Sequence, residues 1–148
     1  AYIYWKRSFL HPTLKTFNAS TRQATKAHRT QSNDPRQGLA LLNDPMFVEA
    51  ARVFAEKLME DGGDSVQDRV RYALRRAVAR SPRDAEIEEL TSLYQKQLER
   101  YRDDTKAARQ IASVGQYPVA EEKELPKLAA WTSVSRAVLN LHETITRY

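Results

Sequence analysis

The residue types that most often carry chemistry are spaced too widely in this chain to form a metal-binding motif. The three histidines, His11, His28 and His142, lie far apart, and none stands four residues from another histidine or in a metal-binding spacing with a carboxylate. Because a zinc-binding helix needs such a pair on one face, the spacing predicts cap or surface roles and no metal ligand. The chain has no cysteine, which excludes a thiol nucleophile, a Cys-based zinc site and covalent haem attachment.

Adjacent acidic residues are the second group that could do chemistry, at Glu88-Glu89, Asp103-Asp104 and Glu121-Glu122. Neighbouring residues on a helix point in different directions, whereas a glycosidase needs two carboxylates that face each other across a sugar. Solvated helix faces or helix N-terminal charges explain these pairs better. There is no glycine-rich phosphate loop and no nucleophile-elbow serine. No catalytic constellation is visible, so whether the chain is an enzyme stays open.

The candidate binding region is the basic, aromatic stretch at the start of the chain. Residues 1–36 contain seven Lys and Arg against a single acid, Asp34, which gives this stretch a net charge of +6. Such a field attracts anions and also acidic faces of neighbouring domains. Nucleic acid is disfavoured as the partner, because no recognition-helix or RNA-binding aromatic motif accompanies the charge. The residues that could line an anion or carbohydrate site are Trp5, Arg7, His11, Arg22 and Arg29.

A plainer reading of the same stretch is packing. Tyr2, Trp5 and Phe9 recur at helical spacing, and an aromatic stripe of this kind usually belongs to a core. The basic residues would then contact an acidic neighbouring domain. We favour this reading over a ligand site, and both are kept as hypotheses.

Length and composition fit one globular domain. The 148 residues are 41% hydrophobic and 29% charged, which is enough to bury a core. No apolar run approaches the roughly 20 residues of a membrane-spanning helix, and no signal-peptide pattern opens the chain. The first residues, AYIYWKRSF, read as the middle of a pattern, so we expect a C-terminal fragment of a larger protein.

Two Asn-Asp-Pro steps mark the start of the helical part. In Asn33-Asp34-Pro35 and in Asn43-Asp44-Pro45, a capping side chain precedes a proline at the first helical position. Asn33, Asp34, Asn43 and Asp44 are therefore predicted to be structural caps. The steps predict a short helix over 37–42 and a long amphipathic helix from Pro45 to about Asp61.

The periodicity of these two helices also predicts which side chains are buried. Leu39 and Leu42 should face inward in the short helix. The inward residues of the long helix should be Phe47, Ala50, Ala51, Phe54, Ala55, Leu58 and Met59. Its outer side should carry Glu49, Arg52, Glu56, Lys57 and Glu60.

The rest of the chain is also helical in pattern, and no stretch competes as a strand. Residues 1–9 predict a helix stopped by His11-Pro12, and 13–32 predict an irregular connection. Further helices should begin at an Asp64 or Ser65 cap, at the step Ser81-Pro82-Arg83-Asp84, at an Asp103 or Asp104 cap, and near Glu124 or Pro126.

The predicted fold is all-α, an irregular antiparallel helical bundle of about five main helices with a long basic N-terminal segment. Residues 1–36 would form that segment and 37–148 the helical domain, together one structural domain.

Three stretches carry a family resemblance: YIYWKRSFLHPTLKTFNA, NDPRQGLALLNDPMFVEAARVFAEKL and AAWTSVSRAVLNLHETITRY. In this order they resemble the PSD domain family, a domain of unknown function at the C-terminus of large secreted planctomycete and verrucomicrobial proteins. LLNDPMFVEAA is specific to that family, and RVRYALRRAVARSP also matches. The family pattern often has Asp at Asn18, Cys near Thr25, Arg at His28 and Asp at His142.

The resemblance implies a context and carries over no catalytic residue. In the family this domain usually follows a cytochrome c-like region and a second uncharacterised domain, so haem would belong to upstream domains and no cofactor to this chain. The parent proteins resemble extracytoplasmic proteins, periplasmic or secreted, and nearby sulfatase genes suggest polysaccharide metabolism.

Two functions follow as expectations. The first is a non-catalytic structural or interaction module that packs on upstream domains of a secreted multidomain cytochrome c-associated protein. The alternative is an anion- or polysaccharide-binding part of an extracytoplasmic oxidoreductase or carbohydrate-active enzyme.

Overall fold

The computed structural model describes residues 8–21, 23, 27–28, 32, 34–118 and 124–145. Eight helices and no strand occur in these residues, which confirms the predicted all-α class. The helices are α1 (Pro12–Thr16), α2 (Pro35–Asn43), α3 (Pro45–Asp61), α4 (Val66–Val78), α5 (Asp84–Asp103), α6 (Thr105–Ala112), α7 (Leu125–Leu139) and α8 (His142–Ile145). Their number exceeds the expected five main helices by three. One of these is α2, which was expected as a short helix over 37–42, and the others are α1 and α8, which have only five and four residues and are too short for a periodic pattern.

The chain divides into two compact units, an N-terminal unit (Ala1–Asp44) and a C-terminal unit (Pro45–Tyr148). In the N-terminal unit, α1 contacts α2. Helix α1 lies in a stretch that was expected to be irregular. It forms because Pro12 occupies the first helical turn and the imidazole Nδ1 of His11 accepts the backbone N–H of Thr13 at 3.4 Å. The proline expected to stop one helix therefore begins another, whereas nearly all of the helix expected over 1–9 falls outside the described residues.

The C-terminal unit is built around α7. This helix contacts α3, α4, α5, α6 and α8, and its buried residues face every direction around its axis. They are Leu128, Ala129, Ala130, Trp131, Thr132, Val134, Ser135 and Val138. The largest, Trp131, packs its ring against Tyr94 of α5 with 4.4 Å between the centroids. Most of the others are small, so neighbouring helices can approach α7 closely.

Local sequence signals set the helix ends of this unit. The hydroxyl of Ser65 accepts the backbone N–H of Asp68 at 3.1 Å, and the carboxylate of Asp104 accepts that of Ala107 at 2.9 Å, as predicted. The start of α5 lies at the end of the expected Ser81-Pro82-Arg83-Asp84 step, with Arg83 in place of Ser81 as the cap residue. Helix α5 begins at Asp84, because the carboxylate of Glu86 reaches back to the backbone N–H of Arg83 at 2.8 Å.

A charge cluster joins the end of α4 to α5 and α8. The guanidinium of Arg80 donates to the Glu86 carboxylate at 2.6 Å and to the Glu143 carboxylate at 2.7 Å. These charge-assisted hydrogen bonds lower the pKa of Glu86 to about 2 and hold the pKa of Glu143 below its ordinary value. One arginine therefore fixes two helix starts.

Replacing Ala79 by glycine should raise the free energy of unfolding by about 1 kcal/mol. Ala79 caps the C-terminus of α4 and has φ 55, which is a left-handed backbone conformation. A Cβ atom is strained in this conformation, and glycine avoids the strain because it has no Cβ. Urea unfolding at constant m-value measures the change. The matched control is Ala50→Gly, exposed in the body of α3, which should lower the free energy by about 1 kcal/mol. A lower free energy of unfolding for both variants would contradict the strain that we assign to Ala79.

Replacing Arg80 by methionine should remove a pH-dependent part of the stability. Because the folded-state pKa of Glu86 lies below its ordinary 4.5, the stabilisation is complete above pH 4.5 and is lost as the pH falls towards about 2. We expect Arg80→Met to be less stable than the wild type at neutral pH and to lose less stability across that interval. Urea midpoints at several pH values measure this, with exposed Arg75→Met on α4 as control. Parallel pH curves for wild type and Arg80→Met would contradict the account.

Candidate functional site

Only one of the five predicted ligand-binding residues can be placed. Trp5, Arg7, Arg22 and Arg29 lie outside the described residues. His11 is exposed, and its ring nitrogen is used as a helix cap at α1. The anion or carbohydrate site at these five positions therefore stays a prediction.

The four residues predicted to be helix caps have different roles at the two ends of α2. Asn33 lies outside the described residues. The carboxylate of Asp34 accepts the backbone N–H of Arg36 at 2.9 Å, and the side-chain hydrogen bonds from Arg36 lower the pKa of Asp34. Asn43 is the last residue of α2 and donates to the carbonyl of Leu39 at 3.0 Å. Asp44 follows it, and its carboxylate accepts the hydroxyl of Thr13 at 3.0 Å.

Side-chain hydrogen bonds connect the parts of the N-terminal unit. Besides the Thr13–Asp44 bond, the amide of Gln37 donates to the carbonyl of Thr16 at 3.0 Å. The amide of Asn18 donates to the hydroxyl of Ser32 at 2.5 Å, from a left-handed backbone conformation with φ 55. These bonds tie α1 and the chain that follows it to α2.

The described residues of this unit include no buried side chain. Phe9 is 62% exposed and Leu39 is 60% exposed. The inward position predicted for Leu39 is therefore wrong, because α1, the helix that packs on α2 here, leaves that side of it uncovered. Phe9 also departs from the packing hypothesis, which placed it in a core. Two large apolar side chains thus lie on the surface of this unit.

Helix α3 carries an unexpected buried charge. Arg52 was predicted on the outer side of the helix, and this is wrong, since its side chain is wholly buried. The guanidinium donates to the carbonyls of Tyr117 at 2.8 Å and Pro118 at 3.1 Å, and to the Glu56 carboxylate at 2.7 Å. It also lies 5.7 Å from the centroid of the Tyr117 ring. The buried charge is thus paired with Glu56, and two carbonyls of the chain between α6 and α7 accept further hydrogen bonds from it.

Glu49, one turn earlier on α3, accepts hydrogen bonds from backbone N–H groups of the same segment between α6 and α7. Its carboxylate oxygen accepts the backbone N–H of Gln116 at 2.7 Å and that of Tyr117 at 2.5 Å. Gly115 has φ +100, and a Cβ there would collide with the Glu49 carboxylate. We call Glu49, Arg52 and Glu56 together the α3 clasp. Its contacts with residues 115–118 are directed at main-chain atoms, apart from the Tyr117 ring.

The helical position of Arg52 indicated that it is buried, although its charge suggested that it is exposed. Val48 and Ala55 are buried, and Arg52 follows the first by four residues and precedes the second by three, so all three share one helix face. Glu56, four residues after Arg52, supplies the opposite charge. Ala50, predicted on the inner side, is exposed instead. Sorting by polarity assigned the positively charged Arg52 to solvent, whereas position alone assigns it to the core.

No reaction centre is visible among the described residues. Among them no group of three or more His, Asp or Glu side chains could hold a metal ion. None of the helices found in the described ranges is long and apolar enough to cross a membrane. The perturbed carboxylates, at Asp34, Asp68, Glu86 and Glu143, each accept a hydrogen bond from a neighbouring side chain. Their lowered pKa values are explained by those contacts.

Known proteins resemble this chain at the level of one family model. No curated protein and no solved structure matches the chain. One family model does, over residues 1–94, which include the whole N-terminal unit, α3 and α4. Because that match covers more than half of the 148 residues, the chain belongs to the PSD1 family, described as a protein of unknown function (DUF1553).

Proposed function

We propose that the chain is a non-catalytic structural and interaction module whose N-terminal unit packs on another domain of a longer protein. The observation that carries the proposal is the surface of that unit. Its described residues include no buried side chain, while Phe9 and Leu39 are each more than half exposed. Burying the exposed part of either side chain against a partner would contribute about 1–2 kcal/mol.

The charge of the same region favours an acidic partner surface. Residues 1–36 carry a net charge of +6, and the other residues carry −1. An acidic face would be attracted to this segment and oriented on it, while the apolar side chains would supply the lasting contact. The position of the charge and the position of the exposed Phe9 therefore support one docking region in the first part of the chain.

The proposal includes the wider context that the sequence resemblance implies. The partner domains would lie upstream in a secreted, extracytoplasmic protein, and haem would be held by a cytochrome c-like region there. A role in polysaccharide metabolism belongs to the same context. The resemblance of the three sequence stretches to PSD domains is what supports these points.

Replacing Leu39 by glutamate should weaken this docking without unfolding the chain. In the longer polypeptide, trypsin cleavage after exposed Lys15 should be slower than in the isolated chain, because the partner domain covers α1. Leu39→Glu should restore fast cleavage, since it places a charge in the apolar contact. Ile145→Glu, an exposed apolar residue of the C-terminal unit, is the matched control and should leave protection intact. Equal cleavage rates in the longer polypeptide and the isolated chain would refute the proposal.

The alternative proposal is that the basic segment binds an anionic polysaccharide through Trp5, Arg7, His11, Arg22 and Arg29. The net charge of the first 36 residues is the observation that favours it. The structure also supplies a reporter for the test. Trp131 is wholly buried, so ligand-dependent changes in tryptophan fluorescence should come from Trp5.

Titration with a sulfated or carboxylated polysaccharide should then give a saturable fluorescence change that weakens as salt is added. Trp5→Phe should abolish the signal, and Trp131 provides the unchanged background. A titration with no saturable change, or one that persists in Trp5→Phe, would reject this alternative.

A further inference from the structure

We propose that two copies of this chain associate through the exposed side of the helix pair α4 and α5, as a dimer with two-fold symmetry. We call this surface the hairpin face, and its exposed charged side chains are Asp68, Arg75 and Arg76 on α4 and Glu88, Glu89 and Lys96 on α5. It lies in the C-terminal unit and does not depend on the docking proposed for the N-terminal unit.

Opposite charges lie at the same end of the hairpin face. Helix α4 ends at Val78 and α5 begins at Asp84, and the two helices are in contact, so the short connection makes them antiparallel. Arg75 and Arg76 therefore lie at the same height as the first turns of α5. Because both helices also pack on α7, their exposed side chains lie on the side away from that helix. One surface thus carries a basic patch beside an acidic one.

These charges are not paired within the chain. Within the described residues, the side chains of Arg75, Arg76, Glu88 and Glu89 take part in no hydrogen bond and no ion pair. Arg80, at the end of the same helix, is by contrast paired with two carboxylates. A guanidinium can pair with a carboxylate through two parallel hydrogen bonds, which an ammonium group cannot do. The basic patch is therefore suited to a partner surface that carries carboxylates.

The sign of the charge reverses along both helices at the same distance. Asp68 lies about two turns before Arg75 on one face of α4, and Lys96 lies about two turns after Glu89 on one face of α5. Basic and acidic positions therefore alternate in opposite order on the two helices. A second copy of this face matches the pattern in one register, whereas a slip of two turns would bring like charges together.

A two-fold axis satisfies the whole pattern at once. An axis parallel to α4 and α5 and midway between them lays α4 of each copy over α5 of the other and preserves the height along the helices. Arg75 and Arg76 of one copy then face Glu88 and Glu89 of the second copy, and the reverse pairing repeats across the axis. An acidic protein of another kind would match α4 alone and leave the acids of α5 unmatched. The charges therefore favour a second copy as the occupant.

The type of the remaining side chain agrees with an interface. Tyr72 is half-buried and lies one turn before Arg75 and Arg76, where it packs on the core cluster. Tyrosine and arginine are enriched among the residues that dominate the binding energy of protein interfaces. Exposed ion pairs contribute little each and are screened by salt, so the dimer should be weak and salt-sensitive.

The test is analytical ultracentrifugation of the intact chain over a wide range of concentration. The wild type should show a monomer–dimer equilibrium that weakens when the salt is raised from about 0.05 M to about 0.5 M. The variants Arg75→Glu with Arg76→Glu, and Glu88→Arg with Glu89→Arg, place like charges opposite each other in their own dimers. Each should raise the dissociation constant at least about tenfold.

An equimolar mixture of these two double variants should restore dimerisation, because opposite charges then face each other in both halves of the interface. The matched control is Lys57→Glu with Lys106→Glu, which makes the same change of charge at exposed positions of α3 and α6 and should leave the dimer intact. A monomeric wild type at every concentration, or a mixture that associates no better than its components, would overturn the proposal. A monomeric wild type that binds poly-L-glutamate through Arg75 and Arg76 would overturn it in favour of an acidic partner.

Discussion

The C-terminal unit depends on one constraint, the burial of most of α7. Its buried residues face too many directions to be covered by a single neighbour, so α3, α5 and α6 pack around it and α4 and α8 close further sides. Ala129, Ala130 and Ser135 keep its surface narrow, and Trp131 fills the space towards Tyr94. The chain must also enter this helix from α6. The loop before α7 is therefore the place where an error in backbone course would disturb the whole core.

Arg80 and Arg52 both stabilise the C-terminal unit, but they do so in different environments. Arg80 stays partly exposed and neutralises two carboxylates, at the start of α5 and in α8, where water shares the cost of its charge. Arg52 has no access to water, and breaking its contacts would leave an unsatisfied charge in the core. That penalty favours the loop conformation in which the carbonyls of Tyr117 and Pro118 accept hydrogen bonds from Arg52.

Much of the fold could be predicted from local signals, and the exceptions have physical causes. The starts of α4 and α6 follow from Ser65 and Asp104, because a cap acts on its own helix and needs no tertiary information. The burial of Trp131 and Val134 follows from an apolar stripe. The burial of Thr132, Ser135 and Arg52 does not, because a stripe identifies one face and assigns polar residues to solvent. Only the tertiary arrangement, with helices on every side of α7 and a loop over Arg52, makes those positions internal.

The candidate site was less predictable for the same reason. The sequence directed attention to charge in residues 1–36, which is visible without a structure, and of its five ligand candidates the structure describes only His11. The clasp joins α3 to a loop more than sixty residues later through main-chain atoms. Main-chain groups are the same at every non-proline position, so no residue pattern in the loop announces them. Its one specific signal is Gly115, and a single glycine has many explanations before Glu49 is seen against it.

The structure also bears on the extent of the folded unit to which the family match belongs. The match ends at residue 94, within α5, and the ring of Tyr94 itself packs on Trp131 of α7. Helices α3 and α5 bury their apolar faces largely against α7, which lies wholly beyond the matched residues. A chain cut at residue 94 would expose Leu58 and Leu74, which are completely buried in the core cluster that α7 completes. The cooperative unit therefore extends through α7, and the end of the match is a boundary of sequence similarity within a continuous core.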